Sequence, residues 1–194
     1  VDATQGYKGT FDGIFWHGAT LLTSALIGDH YAVVSLDPVS HATKVLWSAP
    51  VTADTQRLDS RIAFSADGAT AATILQDYTH GEEIARGKLP ALVPVTHDNA
   101  ALPANVSPHS FHWKNEGSGV QGWLIGPKAP TPGKYRMIVS VHGGPSSSVT
   151  PHYLAMGGQH GTGFDFTGDM SAKCYYFFYP NDRGSYGQGE AFTR

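Results

Sequence analysis

The stretch that most constrains the fold is residues 137–146, where an apolar run stops at two glycines and a proline. Residues 137–141 include the β-branched side chains that fit a buried strand. Gly143 and Gly144 carry no side chain to obstruct a ligand, and Pro145 has no N–H to donate. The pattern predicts a strand end with exposed backbone N–H groups, which can bind an anion or an oxyanion. An ordinary tight turn remains the alternative.

A second apolar run, residues 175–179, breaks into the glycine-rich loop Pro-Asn-Asp-Arg-Gly-Ser-Tyr-Gly-Gln-Gly at 180–189. Consecutive strands with polar, glycine-rich carboxyl ends describe one edge of an open α/β sheet, where such sheets bind ligands. We therefore expect the two loops to lie at one edge. Arg183 is a candidate substrate-binding residue, although an arginine in such a loop more often ties carbonyls together or pairs with a carboxylate.

Three motifs together resemble the prolyl oligopeptidase family of serine peptidases, nearest to its acylaminoacyl-peptidase and dipeptidyl-peptidase-like branches. They are W-K-N-E-G-S-G-V-Q-G-W-L-I at 113–125, H-G-G-P at 142–145, and N-x-R-G-S-x-G-x-G-x-x-F at 181–192. They occur in the family's order and at its approximate spacing. The resemblance implies a β-propeller followed by an α/β-hydrolase domain, and an acyl-enzyme mechanism on short peptides.

Residues 1–105 are predicted to be consecutive short strands with almost no helix. Two sets of four strands, repeated at roughly fifty residues, are typical of propeller blades, and Asp67-Gly68 in the second set is a strong hairpin signal. An unspecific β-sandwich is the alternative. Two blades cannot close a ring, so the resemblance implies that these are the last blades and that others precede Val1.

Residues 106–194 are predicted to be the N-terminal part of an α/β-hydrolase domain, following a linker at 96–108. The glycine-rich stretch 146–171 departs from the helix that the family has there, and only Pro151 to Met156 could form a helical turn or two. Cys174, the single cysteine, is expected to be a buried, unreactive thiol at a strand start.

A hydrolase of this fold needs a nucleophilic serine within G-x-S-x-G, followed by Asp and His. Ser118, Ser185 and the serines at 146–148 all lie outside that pattern. The resemblance implies a nucleophile beyond Arg194, which we interpret as a cut rather than a natural end. This chain would then supply the oxyanion-hole loop and not the triad, and would be inactive alone.

The candidate catalytic residues are accordingly Gly144, Gly143 and His142. In some branches of the family a tyrosine hydroxyl at the position of His142 donates to the oxyanion. Because the residue here is histidine, the backbone N–H of Gly144 is the better donor. The alternative function is a propeller-type binding module with a degenerate hydrolase remnant, and a G-x-S-x-G with a following Asp and His downstream would decide between the two.

Charge and composition limit the classes of partner that this chain is expected to bind. The net charge is −3 and the basic residues are scattered, so neither nucleic acid nor an anionic membrane is indicated. No apolar run approaches the ~20 residues that span a bilayer. His109 and His112 lack partners at metal spacing, and no metal or cofactor is predicted. The expected partners are a peptide substrate and the remainder of the same polypeptide. An oligomer is possible, and a cytoplasmic or periplasmic location is left open.

Overall fold

The computed structural model describes residues 4, 6–53, 62–144, 146–154, 159–160, 163–164 and 166–194. These residues form three four-stranded β-sheets, one two-stranded hairpin and two short helices. The described residues before 166 contain no helix. The chain is therefore mainly β-sheet, and the prediction of a strand-rich N-terminal half is confirmed.

The first sheet is an antiparallel meander in the order β1-β2-β3-β4. Its strands are β1 (Thr10–His17), β2 (Thr20–Ile27), β3 (His30–Leu36) and β4 (Thr43–Ala49). The two central strands are the most buried, because each has a neighbour on both sides. Tyr31, Val33 and Trp47 form a core with Ala71 of the following sheet and with Ile62, which directly precedes that sheet.

The second sheet repeats the same meander as β5-β6-β7-β8. Its strands are β5 (Ala63–Phe64), β6 (Thr70–Leu75), β7 (Glu83–Lys88) and β8 (Val93–Pro94). The predicted turn at Asp67-Gly68 joins β5 to β6. Gly68 has a φ of 65°, and a carboxylate oxygen of Asp67 accepts the N–H of Ala69 at 3.0 Å. This hairpin is therefore specified by its own residues.

The third sheet is mixed, in the order β11-β14-β10-β9. Its strands are β9 (Val106–Asn115), β10 (Ser118–Pro127), β11 (Arg136–Val139) and β14 (Tyr175–Asn181). The β9–β10 hairpin turns through Glu116 and Gly117, whose φ values are 49° and 79°, as a two-residue hairpin loop with two positive φ values requires. Strand β11 runs parallel to β14, whereas β10 is antiparallel to both β9 and β14.

The core of the third sheet includes a side chain of the second sheet, Tyr78, which lies in the loop between β6 and β7. Trp123, Ile125, Phe177 and Leu154 are buried together with Tyr78. The rings of Tyr78 and Trp123 meet edge to face, with centroids 5.2 Å apart. Aromatic pairs of this kind add about 0.5–1.5 kcal/mol beyond the burial of their area. The second and third sheets therefore pack against each other through a shared apolar cluster.

Residues 151–156 are the only part of the stretch 146–171 for which the sequence allows a helical turn or two. Residues 151–154 are not helical, and residues 155 and 156 lie outside the described part. The helix of this region is α1 (Thr167–Ala172). In the sequence it follows the hairpin of β12 (Gln159–His160) and β13 (Gly163–Phe164). A second short helix, α2 (Glu190–Thr193), follows β14. Gly168 is buried within α1, so packing outweighs the propensity that argued against a helix here.

Two expectations of burial are also wrong. Cys174 is exposed, and it follows α1 in a left-handed conformation with a φ of 62°. Strand β11 was predicted to be buried, yet all four of its residues are exposed. It pairs with β14 on one side only and lies at the edge of its sheet.

Candidate active-site edge

The carboxyl ends of β11 and β14 lie side by side, as the sequence predicts. In the parallel register Arg136 is opposite Tyr175 and Val139 is opposite Phe178. The pairing extends past the end of β11, where the N–H of Ser140 donates to the carbonyl oxygen of Phe178 at 2.9 Å. The segment 141–150 and the loop 182–189 therefore start from the same edge of the third sheet.

Two hydrogen bonds join these segments. The Nε2 atom of His142 lies 2.8 Å from Oγ of Ser185, which is only 1% exposed. The N–H of Tyr186 donates to the carbonyl oxygen of Ser147 at 2.8 Å. The histidine of the H-G-G-P motif is thus bonded to the serine of the R-G-S motif. Sequence reasoning considered Ser185 only as a nucleophile and missed its contact with His142.

Gly144 occupies a conformation that favours glycine. Its φ is 150°, and an added Cβ would lie 3.1 Å from both the nitrogen of Ser146 and Cβ of Ser147. Gly143 differs, since an added Cβ there would have no neighbour within 4 Å. Both glycines are exposed. Among the described residues, the N–H of Gly144 has no hydrogen-bond acceptor, so it is available to a ligand.

Asn181, the last residue of β14, holds the segment that follows the glycines. Its Oδ1 accepts the N–H of Val149 at 2.7 Å, and its Nδ2 donates to the Val149 carbonyl at 3.1 Å. The same Nδ2 donates to Oε1 of Gln121 at 2.7 Å. Asn181 and Gln121 are both nearly fully buried. Sequence reasoning assigned neither of them a role; a polar residue at a strand end beside a glycine-rich loop was the only available signal.

A polar chain continues from Gln121 to the first sheet. Nε2 of Gln121 donates to Oγ of Ser110 at 3.0 Å, and Asp29 lies beyond, in the β2–β3 turn. Burial acts to raise the pKa of Asp29, but hydrogen bonds from Ser110 and His30 outweigh it and hold this pKa below its usual value. Asp29 is therefore a carboxylate at neutral pH, and it is positioned to accept these bonds.

The loop 182–189 also packs against the first sheet. The N–H of Gly187 donates to Oγ1 of Thr10 at 2.9 Å. A Cβ on Gly187 would lie 2.9 Å from the carbonyl oxygen of Gly28, and one on Gly189 would lie 2.6 Å from that of Tyr7. These two glycines therefore allow the loop backbone to approach the backbone of Gly28 and Tyr7 closely, and they are not open to a ligand.

Arg183 is exposed at the start of this loop. Within the described residues it forms no hydrogen bond and no ion pair. The structural role that the sequence favoured, tying carbonyls or pairing with a carboxylate, is thus not seen there. A contact between Arg183 and a substrate stays a prediction.

Neither a metal centre nor a membrane-spanning helix is found in the part of the chain that the structure describes. Its His, Cys, Asp and Glu side chains form no group of three or more that could hold a metal ion. None of its helices is long and apolar enough to cross a membrane.

Solved structures of peptidases share this fold. The chain is similar to the acylaminoacyl peptidase of Pyrococcus horikoshii, with a TM-score of 0.69 and 19% identity over 97% of this chain. It is also similar to a Bacteroides ovatus protein assigned as a dipeptidyl aminopeptidase IV, with a TM-score of 0.62 and 16% identity over 98% of this chain. A prolyl endopeptidase gives a TM-score of 0.61 and 13% identity over 96%.

This chain spans only part of those proteins, namely 28%, 27% and 26% of their respective lengths. No protein-family profile matches the sequence, and no curated protein matches it. At these identities the likeness establishes the fold of the segment.

Proposed function

We propose that the chain is a segment of a serine peptidase of the prolyl oligopeptidase family. Residues 1–105 would be the last two blades of a β-propeller, and residues 106–194 the start of an α/β-hydrolase domain. Two successive four-stranded meanders support the first assignment, since propeller blades have this form. A mixed sheet with adjacent parallel strand ends supports the second, since α/β sheets bind ligands at such ends.

The segment supplies the oxyanion-hole loop. When a serine attacks a peptide bond, negative charge develops on the carbonyl oxygen, and preorganised N–H groups stabilise it. In α/β-hydrolases one donor follows the nucleophile and the other comes from the loop after an earlier strand. The observation that carries the proposal is the N–H of Gly144, an exposed residue in the segment that follows β11, which has no acceptor among the described residues.

The remaining parts come from elsewhere in the same polypeptide. The serine that forms the acyl-enzyme, its histidine and its aspartate lie downstream of Arg194, and the first blades lie upstream of Val1. The substrate is a short peptide. Arg183, exposed and without an ion-pair partner among the described residues, is positioned to meet a carboxylate or carbonyl of that peptide.

The test uses the full-length parent protein and a peptide p-nitroanilide. We expect hydrolysis that a serine-reactive fluorophosphonate blocks, with the label on a serine within G-x-S-x-G downstream of Arg194. The 194-residue chain is the control and should neither hydrolyse the substrate nor take the label. A full-length protein that takes no label and lacks the downstream motif would identify a binding module instead.

A further inference from the structure

We infer that His142 is a positioning residue: it fixes the direction of the Gly144 N–H through the carbonyl of Gly143 and is itself held by Ser185. The inference rests on the proposed function, in which that N–H meets the substrate oxygen. It changes the role expected from the sequence, where His142 counted among the catalytic residues. Two hydrogen bonds, one at each ring nitrogen, carry the argument.

The first bond fixes a peptide plane. Nδ1 of His142 lies 3.1 Å from the carbonyl oxygen of Gly143. A carbonyl oxygen can only accept, so Nδ1 carries the proton. The peptide that joins Gly143 to Gly144 is trans, since the only cis bond among the described residues is Leu89-Pro90. In a planar trans peptide the C=O and N–H point in opposite directions. Holding the Gly143 oxygen therefore aims the Gly144 N–H away from the imidazole ring.

The second bond selects the tautomer. A neutral imidazole with its proton on Nδ1 has an acceptor at Nε2. That atom lies 2.8 Å from Oγ of Ser185, so the serine hydroxyl donates. Ser185 is buried and held at both ends of its backbone. Its N–H donates to the backbone carbonyl oxygen of Asp182 at 2.9 Å, and its own carbonyl oxygen accepts from the Thr193 hydroxyl at 3.0 Å.

The same bonds exclude His142 from proton transfer to a substrate. In this arrangement the ring proton is directed at Gly143 and the ring lone pair at Ser185. Neither nitrogen is open to a reacting group, and a general acid or base must reach the proton that it moves. His142 therefore acts through the peptide that it orients.

The experiment separates orientation from general damage with two substitutions at one position. His142→Leu removes both bonds. His142→Asn places an amide nitrogen where Nδ1 was, so it can still donate to Gly143. In the full-length enzyme we expect His142→Leu to lower kcat by about tenfold to a hundredfold, as for a misdirected oxyanion donor, with little change in KM. His142→Asn should recover most of kcat, and Ser185→Ala should fall between the two.

A matched control exists on β9. Nε2 of His109, an exposed residue, lies 3.2 Å from Oγ of Ser107, so His109→Leu and Ser107→Ala remove a similar bond elsewhere and should leave kcat unchanged. Crystal structures should show the Gly143–Gly144 peptide rotated in His142→Leu and retained in His142→Asn. An unrotated peptide in His142→Leu, or a kcat equally low in both variants, would overturn the inference. A wild-type protein that is inactive on peptides would contradict the proposed peptidase function. The positioning role of His142 would still be tested by the orientation of the Gly143–Gly144 peptide in the crystal structures.

Discussion

The N–H of Gly28 donates to the carbonyl oxygen of Gly187 at 2.7 Å. A hairpin turn of the first sheet is thus bonded directly to the loop that follows β14. The same loop carries Ser185, the partner of His142. The contact between the two halves of the chain and the candidate site therefore share one short segment.

This contact predicts a difference between two glycines of similar backbone conformation. Gly187 and Gly184 have φ values of 98° and 108°, but only at Gly187 would a Cβ meet other atoms within 4 Å. Alanine at either position costs about 1–3 kcal/mol of backbone strain. Gly187→Ala should lower the melting temperature of the full-length protein clearly further than Gly184→Ala. Equal shifts would mean that the loop can move away from the first sheet without cost.

A second pair of glycines separates the candidate oxyanion donor from its neighbour. Gly144→Ala must place a Cβ at a φ of 150°, 3.1 Å from Ser146 and Ser147, whereas Gly143→Ala meets nothing within 4 Å. We expect the first substitution to lower kcat of the full-length enzyme by about a hundredfold or more, and the second to have a much smaller effect. Steady-state kinetics on a peptide p-nitroanilide measures both. If Gly143→Ala proves the more damaging, the donor has been assigned to the wrong residue.

The buried amide of Asn181 gives a stability prediction. Asn181→Ala leaves the N–H and carbonyl of Val149 and the Oε1 of Gln121 without their partner. A buried polar group left without a partner costs about 1–3 kcal/mol, so the free energy of unfolding should fall by at least about 2 kcal/mol. Asn115→Ala, at an exposed position, is the control and should change it by less than about 0.5 kcal/mol. Denaturant titration measures both, and similar values would argue against the role of Asn181.

Asp77 predicts a loss of stability in acid. Burial acts to raise its pKa, but hydrogen bonds from Thr79 and His80 outweigh it and hold the pKa below its usual value. A carboxyl with a lower pKa in the folded state contributes stability above its unfolded pKa of about 3.9, and this is lost as pH falls through the folded value. Unfolding measured from pH 6 down to pH 2 should therefore show a smaller loss for Asp77→Asn than for the wild type. Parallel pH profiles would contradict this.

Cys174 offers a stabilising substitution. Its φ of 62° follows directly after α1, at the helix end where glycine is the usual residue. Cys174→Gly should raise the free energy of unfolding by about 1 kcal/mol, because the left-handed conformation costs other residues about that much. Cys174→Ala keeps the Cβ and should bring no such gain. A thermal melt that ranks alanine above glycine would show that the side chain, not the backbone, matters here.

Local signals in the sequence predict much of this fold. Asp67-Gly68 is found in the turn that its own chemistry predicts, whereas β9 begins at Val106, inside the stretch 96–108 that composition assigns to a linker. The meeting of β11 and β14 also follows from local patterns, because each strand carries its own glycine-rich carboxyl end. The helix at 167–172 was missed because Gly168 has a low helix propensity. The packing that stabilises this helix involves residues distant in sequence, which local patterns do not reveal.

The contacts of the candidate site depend on partners distant in sequence. Gly187 with Gly28, and Asn181 with Gln121 and Val149, become neighbours only when the sheets assemble. The glycine-rich loop at 180–189 was interpreted as a ligand loop. Nothing nearby in the sequence shows that the backbone of Gly28 and of Tyr7 lies against Gly187 and Gly189. His142 was recognised for its motif, but its contact with Ser185 required the third sheet.

Strand β11 has a practical consequence for anyone who handles this segment by itself. Its side chains are exposed on both faces, with Val139 at 54% on one and Ile138 at 37% on the other, and its outer edge has no neighbouring strand among the described residues. An apolar edge with unpaired N–H and C=O groups is a template for another copy of the same strand. A recombinant fragment would therefore tend to self-associate and precipitate through β11, and a charged substitution at Val139 would be a reasonable way to keep it in solution.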